Sequence, residues 1–486
     1  MVERREQLKK TTNPAQIWAL ALGAMIGWGC FVLPDLLFLP TSGTIGTLLG
    51  IGLGAAAISL VSICCAMLIN IYPVAGGTFV YTYAGLGPLA AFICGWGVVL
   101  TYVCAIAANG TALILLFRFL FPKILDFGYL YSIMDWNIYT GELIVVSIIL
   151  TLFACCNYIG MNFASGIQLA LSSALVIGVL AFTLGAINTD TSQIENLQPY
   201  FAEGKSTFTC IFTIFALAPF LFGGFDTIPQ AAEEFNFPTS KSTYLMIVAI
   251  ISGALMYGLV LVAIAIVKPY PEMLAIKSDW LVGTVATLIF GKVGGIILAI
   301  PVLAAIFSGI NGFFMAASRL LFGMGRAKFL PSWFEGVHPK LRTPKNAILF
   351  IWGFVLIAPW LGRPFLSWLT DTMALSLGLS YLFACITAYR LVIQRPELIS
   401  IRYAKLISVA GIITSLACLL FLSIPGSPAA IGPVSLAVCF LWIVLGIVFY
   451  KNISMEINSL TTEEMCLFLF GKTDVPLLFN TKRNNS

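Results

Sequence analysis

Long apolar segments alternate with short polar loops along this chain from residue 15 to residue 450. Most of the segments are close to the ~20 residues that an α-helix needs to cross the hydrocarbon core of a bilayer. The pattern therefore predicts an all-α membrane protein with twelve transmembrane helices. We place them near residues 15–40, 44–69, 89–117, 143–158, 166–187, 207–232, 243–267, 294–318, 346–361, 365–389, 406–424 and 431–450.

Glycines interrupt two of these segments, the first and the sixth. In the first they are Gly23, Gly27 and Gly29, and in the sixth they include Gly223 and Gly224. A helix does not continue through such a cluster at low cost, and backbone groups freed inside a bilayer are tolerated only where they line a cavity. The pattern predicts discontinuous helices 1 and 6 beside a solute site near the middle of the membrane. The alternative is that the glycines only allow close helix packing.

The positions of the two interruptions also predict the domain organisation. Breaks in the first and sixth helices indicate two five-helix halves of opposite orientation, an inverted repeat found in many secondary transporters. The first half covers about 15–187 and the second about 207–389, and two extra helices occupy about 406–450. Polar tails at 1–14 and 451–486 flank this twelve-helix domain.

Composition and charge agree with a membrane location. Hydrophobic residues make up 59% of the chain and charged residues 10%, and the mean hydropathy is +0.98, which excludes an ordinary soluble fold. Lys and Arg collect on the cytoplasmic side of membrane proteins. When both tails are placed there, most of the 26 Lys and Arg residues fall in the tails and in the segments 319–345 and 390–405. We expect a multi-pass protein of the inner or plasma membrane with both termini cytoplasmic.

Four motifs in one order carry a family resemblance. They are Gly23-x-x-x-Gly27-x-Gly29-x-Phe31-x-x-Pro34; Tyr72-Pro73-x-x-Gly76-Gly77-x-x-x-Tyr81; Gly223-Gly224-Phe225-Asp226 with Ala231-Ala232-Glu233-Glu234; and Ala317-Ser318-Arg319-Leu320-Leu321 followed by Leu330-Pro331, Val337-His338-Pro339 and Thr343-Pro344. With them, the chain resembles the amino acid, polyamine and organocation permease superfamily. The resemblance implies a leucine-transporter-like fold and secondary active transport by alternating access, without covalent chemistry.

The two breaks by themselves indicate the chemistry of the solute. Unwinding near Gly27 leaves free N–H groups at residues 28–31, at the positive end of a half-helix dipole, which suits a carboxylate. Carbonyl groups freed at residues 220–222 suit an ammonium group, so the pair fits a zwitterion. The predicted substrate-binding residues are Met25, Ile26, Gly27, Trp28, Gly29, Phe220, Leu221, Phe222 and Gly224.

The resemblance adds two residues to this site, Asn109 and Phe313, and gives Phe220 a second role. Residues 102–109 are similar to a family pattern whose final Asn faces the substrate, which makes Asn109 a further substrate-binding residue; an Asn that bonds a neighbouring helix is the alternative. Phe220 and Phe313 fall where relatives place aromatic gates. Trp28 departs from the family pattern, since many relatives carry a small residue there, and an indole would narrow the pocket or stack on the solute.

Coupling is expected to involve Asp226. An ionisable residue deep in a transmembrane segment is functional by default, and the resemblance implies that an acid at this position couples binding to gating. The alternative is that Asp226 caps the second half-helix. Some relatives use a Lys in the fifth span, where this chain has no charge and where Leu175 lies near that position. Three couplings stay open: a proton at Asp226, exchange for a counter-solute, or sodium held by carbonyls near Ala24 with Ser308.

We therefore expect a symporter or exchanger for an amino acid, with the lipid bilayer as its surroundings. The alternative within transporters is a carrier for an amine or polyamine that lacks a carboxylate. A transporter-like membrane sensor is the alternative from another class. No catalytic residue, cofactor, nucleic-acid partner or metal other than sodium is predicted, and the oligomeric state is left open.

Overall fold

Helices form most of this protein in a computed structural model that describes residues 8–134, 136–275, 280–362, 365–427 and 429–479. The outermost parts of both predicted tails, residues 1–7 and 480–486, lie outside the described residues. The helices are α1 (Pro14–Ile26), α2 (Gly29–Leu33), α3 (Leu39–Ile71), α4 (Gly77–Leu86), α5 (Pro88–Leu120), α6 (Thr140–Ile159), α7 (Met161–Ile187), α8 (Thr207–Ala216), α9 (Ala218–Leu221), α10 (Thr227–Gln230), α11 (Ser242–Ala265), α12 (Tyr270–Ala275), α13 (Leu281–Phe290), α14 (Gly294–Arg326), α15 (Lys345–Val355), α16 (Phe365–Gln394), α17 (Ala404–Ser423), α18 (Pro433–Ser459) and α19 (Thr462–Phe470).

Short irregular helices join several of these elements. One turn of π-helix, Pro34–Phe38, connects α2 to α3. The 3₁₀ segments are Ile194–Leu197, Ala232–Glu234, Thr239–Lys241, Gly291–Val293, Ser332–Glu335, Ala358–Leu361 and Pro396–Leu398.

An antiparallel hairpin between α5 and α6 was not part of the all-α prediction. Its strands are β1 (Tyr129–Ile133) and β2 (Trp136–Tyr139), and the Tyr129 and Tyr139 rings lie 6.0 Å apart. The guanidinium of Arg118, near the end of α5, lies 3.7 Å from the centre of the Trp136 ring. Aromatic residues favour strands because they pack well across a pleated surface, and the apolar spans did not reveal this short segment.

Nine helices in the described part of the chain are long and apolar enough to cross a membrane. The first of these spans, Pro14–Ile71, includes both the interruption at Gly27 and a second non-helical residue, Gly43, whose φ is +70°. The predicted sixth span is divided into α8, α9 and α10. The predicted ninth span is represented by α15, which has 11 residues. The protein is therefore an all-helical membrane protein apart from its hairpin.

Both predicted breaks are present as irregular backbone. After α1 ends at Ile26, Gly27 takes a φ of +40°, which side-chain-bearing residues rarely adopt, and α2 starts at Gly29. In the sixth span, Gly224 has a φ of +145° between α9 and α10. α1 packs against α7, α11 and α14, while α9 packs against α3 and α16. This packing places both breaks inside the helical body.

The chain before α1 is bound to the end of the sixth span. The backbone N–H groups of Thr11 and Thr12 donate to the carbonyl of Glu234, and the N–H of Asn236 donates to the carbonyl of Thr12. Thr12 pairs with Phe235 as an isolated parallel bridge. Asn13 then begins α1 with a capping box, in which its side chain accepts from the N–H of Gln16.

Two buried ion pairs hold the same region to α14. Glu234 lies 3.0 Å from Arg319, and Glu233 lies 3.0 Å from Arg326. The carboxylate of Glu233 also accepts the backbone N–H groups of Leu8 and Ala75, each at 3.1 Å. The residues after α10 are therefore fixed to the chain before α1, to the loop before α4 and to α14.

Candidate solute site at the two helix breaks

The two breaks are in direct backbone contact. A Cβ atom at Gly224 would lie 2.5 Å from the backbone nitrogen of Met25 and 2.9 Å from the carbonyl oxygen of Ala21. Such distances leave no room for a side chain, so only glycine permits this approach. The sixth-span break therefore lies against the last turn of α1.

A small cavity of about 20 Å³ lies beside this contact, which is space for about one water molecule. A molecule of amino-acid size does not fit in it. The lining residues are Ala24, Met25, Ile26, Gly27, Trp28, Gly29, Ala105, Asn109, Phe220, Gly223, Tyr257, Phe313 and Met373.

This lining contains most of the predicted substrate-binding residues but not all of them. Phe220 and every predicted position from Met25 to Gly29 face the cavity, together with Asn109 and the predicted gate Phe313. The lining does not include Leu221, Phe222 or Gly224. Gly224 instead contacts Met25, and Phe222 lies beside Gly54 of α3, where an added Cβ would be 3.4 Å from its ring. These three predictions did not take into account which way each turn of the break faces.

Four lining residues were not predicted: Ala105, Gly223, Tyr257 and Met373. Ala105 lies one helical turn before Asn109 on the same face of α5, so helical periodicity contained a signal for it. For Tyr257 the sequence offered only one signal, which is a hydroxyl group within an otherwise apolar span. Its hydroxyl donates to the carbonyl of Met25 at 3.3 Å, so it satisfies one of the carbonyl groups freed at the first break.

Asn109 bridges α5 to the start of α2. Its Oδ1 accepts the backbone N–H of Trp28 at 3.1 Å, and its Nδ2 donates to the carbonyl of Ala105 at 2.8 Å. Trp28 precedes the first residue of α2, where unpaired N–H groups and the helix dipole favour an acceptor. Asn109 therefore bonds a neighbouring helix and also faces the cavity, and its contact with a substrate stays a prediction.

The carbonyl groups at the sixth-span break take part in tight turns. Gly223 donates its N–H to the carbonyl of Phe220 at 3.0 Å, and Phe225 donates to that of Phe222 at 3.4 Å. A carbonyl oxygen has two lone pairs, so the Phe222 carbonyl retains one acceptor position, whereas the Phe220 carbonyl also accepts the N–H of Phe222. The Phe220 ring lies 6.3 Å from the ring of Trp28, so the indole occupies a wall of the cavity between the two breaks.

Asp226 lies behind this cavity and does not line it. It is only 2% exposed, and its carboxylate accepts hydrogen bonds from the Tyr102 hydroxyl at 2.5 Å, the Gly224 N–H at 2.8 Å and the Tyr381 hydroxyl at 3.4 Å. The predicted capping role is wrong in detail. Asp226 occupies the N-cap position of α10, but its side chain bonds the N–H of Gly224 behind it instead of an N–H of the helix. The carboxylate thus joins α5 and α16 to the sixth-span break.

The expected sodium position contains more polar side chains than the sequence indicated. Ser308 donates its hydroxyl to the carbonyl of Gly23 at 3.3 Å and to that of Ala305 at 2.9 Å. Gln168 and Ser172 of α7 both donate to the carbonyl of Ala19. The polar fifth-span residues at this place are therefore Gln168 and Ser172, and Leu175 follows Ser172 by about one turn on the same face of α7.

Comparison with known proteins agrees with this geometry. The profile of the amino acid permease family matches residues 13–448. The chain is 24% identical to the methylthioribose transporter of Bacillus subtilis (strain 168) over 466 residues, which cover 92% of this chain and 94% of that relative. It is 26% identical to the branched-chain amino acid permease BcaP of the same organism, over 71% of this chain and 73% of the relative. It is 24% identical to the serine/threonine exchanger SteT of that organism, over 74% of this chain and 78% of the relative. The chain therefore belongs to the amino acid permease family, within the amino acid, polyamine and organocation superfamily.

Proposed function

We propose that this protein is a secondary active transporter that moves an amino acid across the membrane by alternating access. The observation that carries the proposal is the contact between the two broken helices at Met25 and Gly224, beside a cavity enclosed by both breaks. In transporters of this kind, half-helix N-termini face the anionic group of the solute at the middle of the membrane. Family membership supports the same function.

The proposed site holds both ends of a zwitterion by backbone groups. The carboxylate takes the N–H groups at the start of α2 and shares the Trp28 amide with Asn109. The ammonium takes the free acceptor position of a carbonyl such as that of Met25, which also accepts the Tyr257 hydroxyl. Phe220 and Phe313 act as gates, because both must move before the cavity can enlarge.

The nature of the lining favours a neutral amino acid. None of the described residues that enclose the cavity is Asp, Glu, Lys or Arg. Trp28, Phe220, Phe313 and Met373 give it apolar walls, which bind an apolar side chain without leaving a buried charge unpaired. A basic or acidic side chain would be desolvated there without an ionic partner.

The architecture we propose has twelve transmembrane helices as an inverted repeat of five plus five, with two further helices. Nine spans of sufficient length support it. The span that contains Gly43 counts as two helices, which gives ten, and the sixth and ninth predicted helices, which are built from shorter pieces, give twelve. The two halves then cover about 15–187 and 207–389, and helices 11 and 12 cover about 406–450. We place both tails in the cytoplasm and the protein in the inner or plasma membrane.

The amine carrier is less well supported than the amino acid carrier. An amine without a carboxylate would depend on Asp226, which is bonded to Tyr102, Tyr381 and Gly224 away from the cavity. The start of α2 would then have no role in binding. Asp226 is instead proposed to couple proton movement, or exchange, to the change of conformation.

Purified protein in proteoliposomes tests this function. We expect inward uptake of a radiolabelled neutral amino acid, such as leucine or serine, and acceleration of that uptake by the same amino acid loaded inside. A thermal-shift screen of neutral, acidic and basic amino acids, amines and methylthioribose identifies the preferred solute. Binding of an amino acid without its uptake would indicate that the protein is a transporter-like membrane sensor. Stabilisation by amines alone, or by methylthioribose alone, would replace the amino acid as the solute.

A further inference from the structure

Three buried amide side chains form a continuous hydrogen-bonded chain behind the first break. Asn157 lies on α6, Asn311 on α14 and Gln168 on α7, and each is at most 1% exposed. Asn157 Nδ2 donates to Asn311 Oδ1 at 2.9 Å, and Asn311 Nδ2 donates to Gln168 Oε1 at 2.8 Å. None of the three lines the cavity. The role proposed above for the two breaks does not explain these hydrogen-bonded amides.

The direction of these hydrogen bonds is fixed by the backbone atoms that the amides contact. Gln168 Nε2 lies 3.2 Å from the carbonyl oxygen of Ala19 and 3.1 Å from that of Ser308. Both atoms are acceptors only, so the end of Gln168 that faces them must be the NH₂ group. Asn311 Nδ2 likewise donates to the carbonyl of Ala164 at 2.9 Å. Each amide therefore donates to the next one, and the last of them, Gln168, donates to α1 and α14.

Asn157, at the other end of this series of hydrogen bonds, agrees with this direction. Asn157 Nδ2 donates to the carbonyl of Phe153 at 2.9 Å, while Asn157 Oδ1 is buried and has no hydrogen-bond partner among the described residues. The unpaired acceptor is the negative end of the three aligned amide dipoles. The positive end is the Gln168 NH₂ group, and hydrogen bonds in such a chain polarise one another.

The positive end meets a cluster of backbone carbonyl groups. Those of Ala19 and Gly23 come from α1 and that of Ser308 from α14, and hydroxyl groups of Ser172 and Ser308 also donate to the first two. Carbonyl groups gathered beside a broken helix are ligands that transporters offer to Na⁺. A Cβ at Gly23 would lie 2.3 Å from Gln168 Nε2, so the amide fills the space beside α1.

We propose that the Gln168 NH₂ group is a neutral substitute for a cation at this position, and that it fixes α1 to α14 without Na⁺. Gln168 is a positioning residue, since it acts on the solute only through the backbone of α1. This inference rests on the proposed transport function and deepens it, because it excludes sodium coupling through Ala24 and Ser308. Transport is then driven by a proton or by a counter-solute.

Sodium dependence of the wild-type protein is the first test. Uptake into proteoliposomes and the thermal unfolding midpoint are measured in NaCl and in choline chloride at equal ionic strength. We expect both to be unchanged within error. Uptake that requires Na⁺, or a saturable rise of the midpoint in NaCl alone, would overturn the proposal.

The Gln168→Ala variant is the second test. Removing the NH₂ group takes one donor from the buried carbonyls of Ala19 and Ser308, of which Ala19 keeps the Ser172 hydroxyl, and we expect uptake in choline chloride to fall at least about tenfold. The same change opens a space beside those carbonyls, so NaCl should restore part of the uptake and raise the unfolding midpoint. An equal loss in both salts would show that Gln168 has only a packing role. Ser173→Ala is the matched control, because Ser173 is exposed on α7 and bonds only its own helix.

Gln168→Glu provides a second variant of nearly unchanged size. A carboxylate there repels the Ala19 and Ser308 carbonyl oxygens unless a cation lies between them, so we expect a stronger dependence on Na⁺ than in Gln168→Ala. Indifference of this variant to Na⁺ would count against the proposal. The unfolding measurements need no solute. If the wild-type protein transports none of the amino acids tested, the proposed function fails while the inference about Gln168 is still decided.

Discussion

The side-chain oxygen of Asn109 lies 3.1 Å from the backbone nitrogen of Trp28 and accepts its hydrogen bond. The amide of Trp28 is one of the N–H groups that the proposed site offers to the carboxylate of the solute. A neutral acceptor thus occupies part of the proposed carboxylate position. The proposal therefore links entry of the solute to movement of Asn109.

Asn109→Asp should abolish uptake of amino acids. The substitution keeps the shape of the side chain but places a negative charge at the start of α2, which favours an anion and repels a second one. We expect at least about a tenfold loss of uptake at neutral pH, measured in proteoliposomes with matched protein content. Thr111→Val is the control, since Thr111 lies on the same helix and bonds only the carbonyl of Ala107. Uptake equal to wild type in Asn109→Asp would remove Asn109 from the site.

Gly27→Leu should abolish transport while the protein remains inserted and folded. Gly27 has a φ of +40°, and a Cβ there would lie 3.0 Å from Asn109 Oδ1, so both backbone strain and crowding oppose a side chain. The measurement is uptake normalised to the amount of protein in the membrane. Gly52→Leu is the control, because a Cβ atom added at Gly52 would meet no other atom of the described residues within 4 Å. Normal uptake by Gly27→Leu would contradict the role of the break.

Trp28→Ser should change the order of preferred solutes. The indole lines the cavity and lies 6.3 Å from the Phe220 ring, so its removal enlarges the space between the breaks. We expect competition assays to shift toward larger apolar side chains, with leucine or phenylalanine gaining at least about tenfold over alanine, by the free energy of burying a few methylene groups. An unchanged ranking would mean that the indole does not limit the solute.

Asp226→Asn should separate exchange from net uptake. The amide keeps the size of the carboxylate and can still accept from the Gly224 N–H, but it cannot release a proton. We expect net uptake to lose its pH dependence, while exchange of internal for external amino acid continues. The pH profile of uptake and a counterflow assay measure the two activities. If the variant keeps a wild-type pH profile, the proton is carried elsewhere.

Arg319→Met should destabilise the protein strongly. Arg319 and Glu234 are 1% and 3% exposed, and removing one partner leaves a buried charge at a cost of about 3–5 kcal/mol. Thermal unfolding in detergent measures the loss. Adding Glu234→Gln should recover part of it, because the unpaired charge is then gone. Lys268→Ala is the control: its pair with Glu272 is largely exposed, so we expect a change below about 1 kcal/mol.

The helix breaks were predictable because their cause is local. Glycine clusters interrupt a helix through the backbone conformations that they favour, and that tendency needs no knowledge of neighbouring helices. The proposed carboxylate position at Trp28 follows from the break, since every helix start exposes N–H groups. Asn109 was predicted from the family resemblance, and its lining of the cavity at the level of Trp28 agrees with that prediction.

The remaining residues depend on the rotation and packing of whole helices. Tyr257 and Met373 reach the cavity from α11 and α16, and nothing in an apolar span indicates which of its sides will face α1. The same lack of information on neighbouring helices explains why the bonds of Asp226 to Tyr102 and Tyr381, instead of a cap on α10, were not predicted. Helical periodicity gives relative positions on one helix, whereas contacts between helices require the fold.

The main-chain connection between Thr12 and the residues that follow α10 restrains the movement that the proposed release of a solute would require. Three backbone hydrogen bonds tie residues 11 and 12 to Glu234 and Asn236. Backbone bonds survive most side-chain substitutions, so this connection is a property of the chain path more than of its composition. In the proposed alternating access, the beginning of the first broken helix and the end of the second would therefore have to move together, or these bonds would have to break first.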